Sequence, residues 1–309
     1  MPSGEKILFT GPTGRIGLPT VKALARENEV WAVARFRESG SREDLTRGGV
    51  RCVAVDLAAG DFSALPNDFT NVINMATVRT DDFDWDFRVN CEATGLLMQH
   101  CRKAKAFLHV SSIAVYQPNG HVPLKETDPL GDSHRVFTRM PTYSIAKIGS
   151  EIAARTAARM LGLPTTIARL AVPFGVNGGW LTEHFELMLR GKRIKVHTDA
   201  PSTYNPIYQD DIVAMIPGLL DVANVPATIV NWGGSEQASI QEWCAHLAEL
   251  TGVTPTLVPS DQMLPPMPTD PTRMNELIGP TTVTWREGLY RMLSERFPEH
   301  LRATARPVG

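Results

Sequence analysis

The chain has few cysteines, no long apolar run and no excess of charge. Its four cysteines, Cys52, Cys91, Cys101 and Cys244, stand at no metal-ligand spacing in 309 residues. Three fall inside strand or helix patterns, so reduced, mostly buried thiols are expected, and no metal site. No stretch approaches the roughly eighteen apolar residues of a membrane helix. Met1-Pro2-Ser3-Gly4-Glu5-Lys6 precedes the first apolar run and has no apolar region of its own, which predicts a soluble, cytoplasmic protein without a membrane partner. Lys and Arg number 31 against 33 Asp and Glu, for a formal net charge of −2. That balance excludes bulk attraction to nucleic acid, so any anion site must be local.

What the chain does have is rhythm. Lys6 to Thr10, Val30 to Ala34, Val50 to Val55, Asn71 to Met75, Phe107 to Val110 and Thr165 to Leu170 are short apolar runs. They are separated by polar turns or by helically spaced segments, among them Arg15 to Arg26 and Asp84 to Lys105. Such alternation predicts an α/β fold, a Rossmann-type doubly wound parallel sheet covered on both faces. After Pro173 the rhythm breaks at Gly175, Gly178 and Gly179, and a helix is expected from Trp180 to Arg190. The expected division is a dinucleotide-binding domain over 1–172 and a smaller C-terminal substrate-binding lobe over 173–309. Within that lobe, about 205–232 should return to the sheet. Pro255 to Pro271 holds six prolines, too many for a helix or a central strand, and reads as an ordered excursion. A helix from about Trp285 to Phe297 closes the chain.

Between the first strand and first helix stands Thr10-Gly11-Pro12-Thr13-Gly14-Arg15-Ile16-Gly17. Gly11 permits the turn, Gly14 lets backbone approach a pyrophosphate, Gly17 lets the helix pack on the strand, and the helix N-terminus supplies N–H donors. An ordinary strand-helix turn is the plain alternative. An NAD-binding chain usually ends its second strand in Asp or Glu, for the ribose hydroxyls. Here Ala34-Arg35-Phe36-Arg37 follows, and Arg35 and Arg37, with Arg15, suit a 2′-phosphate. NADP(H) is therefore favoured over NAD(H), unless these are only solvated loop charges. Asp56, followed by Leu57, is placed to accept from the adenine amino group.

Tyr143 and Lys147 lie four residues apart, on one face of an expected helix. A neighbouring ammonium would favour the phenolate and make Tyr143 an acid/base; Lys147 would also hold the nicotinamide ribose. Ser112, at the end of the fifth strand, would bond the substrate oxygen. A buried tyrosine and a helix-surface lysine are the bland alternatives to each taken alone.

In this order the motifs resemble the extended short-chain dehydrogenase/reductase superfamily, in its NAD(P)-dependent epimerase/dehydratase group, over nearly the whole chain. Asn74-Met75-Ala76, Val89-Asn90, Ser112-x-x-Val115-Tyr116, Arg169-Leu170, Phe174-Gly175 and Asn231-Trp232-Gly233-Gly234 also echo it. The resemblance implies Met75, Ala76 and Thr77 beside the cofactor, Asn90 supporting the site, and Ala171, Val172 and Phe174 beside the nicotinamide. Family dehydratases carry an Asp-Glu pair where Ile113 and Ala114 stand, so sugar dehydration is not expected. Sugar-nucleotide members carry an Asn and an Arg where this chain has Val172 and Tyr204. Tyr204, Trp180, Tyr116, Phe174 and Pro206 then suggest a more apolar substrate pocket. Lys192, Arg193 and Lys195 would restore an anion site only if their segment folds inward, and His134, Arg135, His184 and His197 lie where the substrate side is expected. The expected function is an NADP(H)-dependent carbonyl reductase or alcohol dehydrogenase acting on a small organic substrate. An epimerase with retained cofactor is the first alternative, a non-catalytic NADP(H) sensor the second. Expected partners are the small-molecule substrate and a second copy of the chain in a homodimer.

Overall fold

Short apolar runs that lie between helices have one efficient way to bury both faces, which is to pair side by side under a layer of helix on each side. The computed structural model describes residues 3–136 and 140–305. Its first half runs β1 (Lys6–Thr10), α1 (Gly17–Leu24), β2 (Glu29–Ala34), α2 (Ser41–Arg47), β3 (Arg51–Ala54), β4 (Asn71–Asn74), α3 (Phe83–Phe87), α4 (Ala93–His100), β5 (Ala106–Ser112), α5 (Tyr143–Leu161) and β6 (Thr165–Leu170). The second half continues β7 (Val172–Gly175), β8 (Gly178–Gly179), α6 (Trp180–Leu189), β9 (Arg193–His197), β10 (Thr203–Tyr204), β11 (Pro206–Tyr208), α7 (Gln209–Asp221), β12 (Thr228–Trp232), β13 (Ala238–Ser239), α8 (Ile240–Thr251), β14 (Thr256–Ser260), α9 (Thr272–Ile278) and α10 (Trp285–Arg296).

Seven strands form one sheet in the order β12-β6-β5-β4-β1-β2-β3, with every pair parallel. Alternation sends Ile7 and Phe9 of β1 to one face, against Val21 and Leu24 of α1 and Ile212 and Ile216 of α7. Leu8 goes to the other, with Leu97 of α4 and Ala154 and Ala158 of α5. Strand order reverses between β1 and β4, and such a switch point opens a crevice at the strands' carboxyl ends. A separate apolar cluster, with Phe174, Leu181, Phe185, Trp243 and Leu289 among its members, packs the elements that follow β7 together with Ile113, Val115 and Tyr116 after β5.

Three expectations change. The segment over 84–105 is interrupted by a π-turn at Arg88–Glu92, where Asn90 turns its side chain onto the Val78 backbone instead of out to solvent. Of the returning stretch 205–232, only β12 joins the central sheet, while β11 pairs with β7 in a three-stranded sheet. Within the proline-rich stretch β14 does form, as an edge strand on β9 that tolerates Pro259. All four cysteines are free, with Cys101 and Cys244 buried and Cys52 and Cys91 partly so. Among the described residues no helix is long and apolar enough to cross a membrane.

Candidate functional site

A cleft of about 960 Å³ runs along the carboxyl ends of the strands, lined on its other side by residues that follow β7, among them Trp180, Tyr204, Leu264 and Met267. Its floor begins at the glycine turn. Gly11 has φ +75°, and a Cβ there would lie 2.9 Å from the Ala76 backbone; at Gly17 it would meet the Gly11 carbonyl oxygen at 2.0 Å. Both glycines are required by the fold itself. Gly14 differs, since its Cβ would meet only the Gly11 oxygen, at 3.4 Å, and would otherwise stand in the cleft that Gly14 lines. The first turn of α1 carries no acidic residue and no side-chain cap, so its positive end stays available to an anion. Thr10 ties the turn to the neighbouring loop. Its hydroxyl donates to Asn74 Oδ1 at 2.7 Å and accepts from the N–H groups of Met75 and Ala76 at 3.1 and 3.0 Å.

The same accounting runs inward. Asn74 Nδ2 donates to Thr94 Oγ1 at 3.0 Å and meets His109 Nδ1 at 3.2 Å. His109 Nε2 lies 3.0 Å from Ser150 Oγ, which donates to the Lys147 carbonyl at 2.8 Å. Every donor has an acceptor if the imidazole is neutral, and burial, helped by the Lys147 charge, pushes His109 down to about 3. This chain of bonds joins β1, β4, β5 and α5 beneath the cleft, and the sequence reading had not singled out His109 or Ser150.

At one end, Arg35, Arg37, Asp56 and Leu57 line the cleft together with Phe36, Glu38 and Ser41, which sequence reasoning missed. Phe36 has φ +45° and is the sole non-glycine residue with positive φ among the described residues. That conformation is costly for a bulky side chain, and no local sequence signal announces it. Arg35 and Arg37 are exposed. Asp56 uses one oxygen to cap a short 3₁₀ turn at Ala58. Arg15 reaches across from the glycine turn to pair with Glu183 of α6, passing over Gly178.

Ser112, Tyr143 and Lys147 all line the cleft. Tyr143 is the first residue of α5 and Lys147 lies one turn on, while Ser112 ends β5. Ser112 Oγ accepts from the Ala114 N–H at 3.2 Å. Burial lowers Lys147 to about 8 despite the opposing pull of Glu151. Its ammonium donates to Thr77 Oγ1 at 2.8 Å and to the Val110 carbonyl at 2.9 Å. Burial raises Tyr143, opposed by the influence of Ser112 and the charge of Arg79. Burial thus dominates at Tyr143, while the Lys147 ammonium donates to Thr77 and Val110.

The remaining cleft residues separate expectation from outcome. Met75, Ala76, Thr77, Ala171, Val172, Trp180 and Tyr204 line the cleft. Asn90 stands behind it, its amide donating to the Val78 carbonyl and accepting from the Val78 N–H, both at 3.0 Å. Tyr116 and Phe174 do not reach it. Tyr116 is fully buried, donates to Asn231 Oδ1 at 2.6 Å and lies under the Arg169 guanidinium. Phe174 is fully buried and packs edge-on against Tyr208, in the same apolar cluster as Leu181, Phe185 and Trp243. Lys192, Arg193 and Lys195 are exposed and stand outside the cleft lining. His184 is buried and accepts from Trp243 Nε1 at 2.9 Å, and His197 caps its own turn at Asp199. His134 does line the cleft, its ring edge-on to Tyr143 with centroids 5.0 Å apart.

A doubly wound sheet with a glycine turn at its switch point and a Ser-Tyr-x-x-x-Lys set in the same crevice defines an enzyme of the extended short-chain dehydrogenase/reductase type. The chain belongs to the NAD dependent epimerase/dehydratase family, whose family model matches residues 7–233. A protein of Escherichia coli O111:H-, described as an uncharacterized 37.6 kDa protein in the cld 5′ region, is 32% identical over 160 residues, which is 48% of this chain. The match spans 45% of that relative's length. Among solved structures, the UDP-glucuronic acid 4-epimerase of Bacillus cereus with UDP-glucuronic acid and NAD superposes with a TM-score of 0.81 at 22% identity, over 95% of this chain and 99% of that one. MoeE5 in complex with UDP-glucuronic acid and NAD has a TM-score of 0.79 at 22% identity, over 94% and 98%. The UDP-glucose 4-epimerase of Thermotoga maritima with UDP-glucose has a TM-score of 0.79 at 24% identity, over 95% and 99%.

Proposed function

We propose that this enzyme moves hydride between a nicotinamide dinucleotide and a carbinol or carbonyl carbon of a small substrate, with Tyr143 moving the proton. The observation that carries this reading is the convergence of Ser112, Tyr143 and Lys147 in the cleft that begins at the glycine turn. Gly11, Gly14, Arg15, Ile16 and Gly17 would hold the pyrophosphate. Asp56 and Leu57 would face the adenine, and Met75, Ala76, Thr77, Lys147, Ala171 and Val172 the nicotinamide riboside. Bound there, the cofactor supplies the hydride acceptor or donor and, when oxidised, a positive charge that favours the Tyr143 phenolate. Arg35 and Arg37, with Ser41, support NADP(H) over NAD(H), although NAD is the cofactor named in the related structures.

Ser112 would hydrogen-bond the substrate oxygen while Tyr143 takes the hydroxyl proton and the C–H hydride departs, leaving a ketone. Return of hydride to the opposite face, with Tyr143 giving the proton back, inverts the carbon. Epimerisation with retained cofactor is the reading that family membership supports best. Net reduction of a carbonyl is the second, favoured by the substrate end of the cleft. There the Tyr204 hydroxyl is spent on the backbone carbonyls of Leu264 and Pro265, at 3.0 and 2.8 Å, and Leu264, Met267 and Trp180 offer no charge to a diphosphate. Ile113 and Ala114 line the cleft and supply no acid or base for water loss. A complete proton-transfer set argues against a non-catalytic sensor.

The test is Tyr143→Phe, which should lose turnover by about 10²–10⁴-fold while binding NADP(H) as tightly as wild type. A variant within threefold of wild type, under conditions where chemistry limits the rate, overturns the assignment. Stoichiometric oxidation or reduction of added cofactor, followed by absorbance, marks the reductase. Substrate inversion without net cofactor turnover marks the epimerase.

A further inference from the structure

The loop after β4 carries Arg79, which the phosphate turn and the Ser-Tyr-Lys set leave without a task. Arg79 is exposed and lines the cleft beside Tyr143, His134 and Met140. Among the described residues it has no carboxylate partner; its one polar contact is from Nη1 to the Met140 sulfur at 3.7 Å. Yet the backbone on both sides of it is fastened by buried side chains. Asn90, 5% exposed, bonds both the N–H and the carbonyl of Val78. Asp86, with no exposed surface, accepts from the Thr80 N–H at 2.9 Å and from the Thr80 hydroxyl at 2.9 Å. Thr142, also fully buried, lies 2.5 Å from Asp86 Oδ2 and 2.9 Å from the Thr80 carbonyl.

Burying a carboxylate is expensive unless it is fully bonded, and here that cost holds one short stretch of backbone in place. Loops tolerate such investment where they present a side chain to a ligand. Arg79 Nη1 lies 3.7 Å from the sulfur of Met140, whose carbonyl accepts from the Tyr143 N–H at 3.2 Å, so the guanidinium reaches the end of α5 that carries Tyr143, on the cleft both side chains line. A guanidinium held on a fixed loop is suited to an oxyanion, which it can bind through two parallel hydrogen bonds. The wall formed by Trp180, Leu264 and Met267 is apolar.

We propose that Arg79 is a substrate-binding residue that takes an oxyanion, a carboxylate by preference, carried by the substrate close to the carbon that exchanges hydride. The substrate is then an acid with an apolar flank, such as a hydroxy or keto acid or a uronate. This deepens the functional reading above and rests on it for the position of the reacting carbon.

The test uses full-length protein saturated with NADP⁺ and reads binding by calorimetry, independently of turnover. The probes are benzoylformate and its neutral methyl amide, glucuronate and glucose, and phenyl phosphate. Wild type should bind at least one acid saturably and at least tenfold better than its neutral counterpart. Arg79→Gln should weaken that acid by roughly 10- to 100-fold, Arg79→Lys by less, and neither should change the affinity for NADP⁺. A preference for phenyl phosphate that is also lost in Arg79→Gln assigns the oxyanion site to a phosphate ester instead of a carboxylate. The proposal is overturned if no anion binds the loaded protein, if neutral and acid probes bind alike, or if Arg79→Gln leaves anion binding unchanged. Anion binding that depends on Arg79, in a protein where Tyr143→Phe changes no activity, would leave the site standing and sink the hydride reading alone.

Discussion

Arg35 and Gly14 show how a single position reports on a ligand that the fold itself does not require. Gly14 has room for a side chain as far as its protein neighbours are concerned, so what constrains it comes from the cleft. Arg35 is exposed and directly follows β2, the place where NAD-binding chains usually carry Asp or Glu. Arg35→Asp should therefore cost NADP(H) about 1.5–3 kcal/mol of binding and move preference toward NAD(H). Calorimetric titration of both cofactors on both proteins checks it, and tighter binding of NAD(H) by wild type would refute the phosphate assignment.

At the scale of elements, α5 is held to the sheet by more than its apolar stripe. Glu151 on α5 receives two parallel bonds from Arg169 on β6, at 2.9 and 2.8 Å, and a third from Ser111 on β5 at 2.6 Å. Both charged partners are essentially fully buried. Because α5 carries Tyr143 and Lys147 and β5 ends in Ser112, this ion pair sets the spacing of the whole candidate set. Removing one partner strands the other charge in the interior, so Glu151→Ala should lose about 3–5 kcal/mol in chemical denaturation. Replacing both by methionine should recover much of that loss. A Glu151→Ala protein as stable as wild type would show that the pair is not essential to the fold.

The whole molecule keeps several imidazoles neutral in its interior. Burial, with the Lys147 charge, takes His109 to about 3; burial, with the Arg79 charge, takes His134 to about 4; burial alone takes His184 to about 4. Above an ordinary histidine pKa of about 6.5 folded and unfolded chains are both neutral at these positions, and nothing is lost. As pH falls from there toward 4 and then 3, the unfolded chain takes up protons that the folded one refuses, so stability declines. The melting temperature should therefore drop through that window, and His184→Gln, which keeps an acceptor for Trp243, should drop less steeply. An identical slope in the variant would remove His184 from the account. Lys147 acts at the other end. Its folded-state value near 8 lies below the unfolded one, so the penalty for burying its charge persists below pH 8 and is relieved as pH rises above it.

What the sequence determined by itself was local or periodic. Gly11, Gly14 and Gly17 lie within one turn, Tyr143 and Lys147 within one helical turn, and the alternation of short apolar runs with helical segments specifies a parallel sheet without reference to distant residues. Tertiary structure decided which way side chains face where no period constrains them. Tyr116 and Phe174 read as cleft residues from their neighbours in sequence, yet the 3₁₀ turn after β5 and the short β7 point them into the core. The commitment of Lys147 to Thr77 and Val110, the pairing of β11 away from the central sheet and the fastening of the Arg79 loop each join residues tens of positions apart. Those contacts come from loop closure and from the need to satisfy every buried polar group, which only the packed chain can resolve.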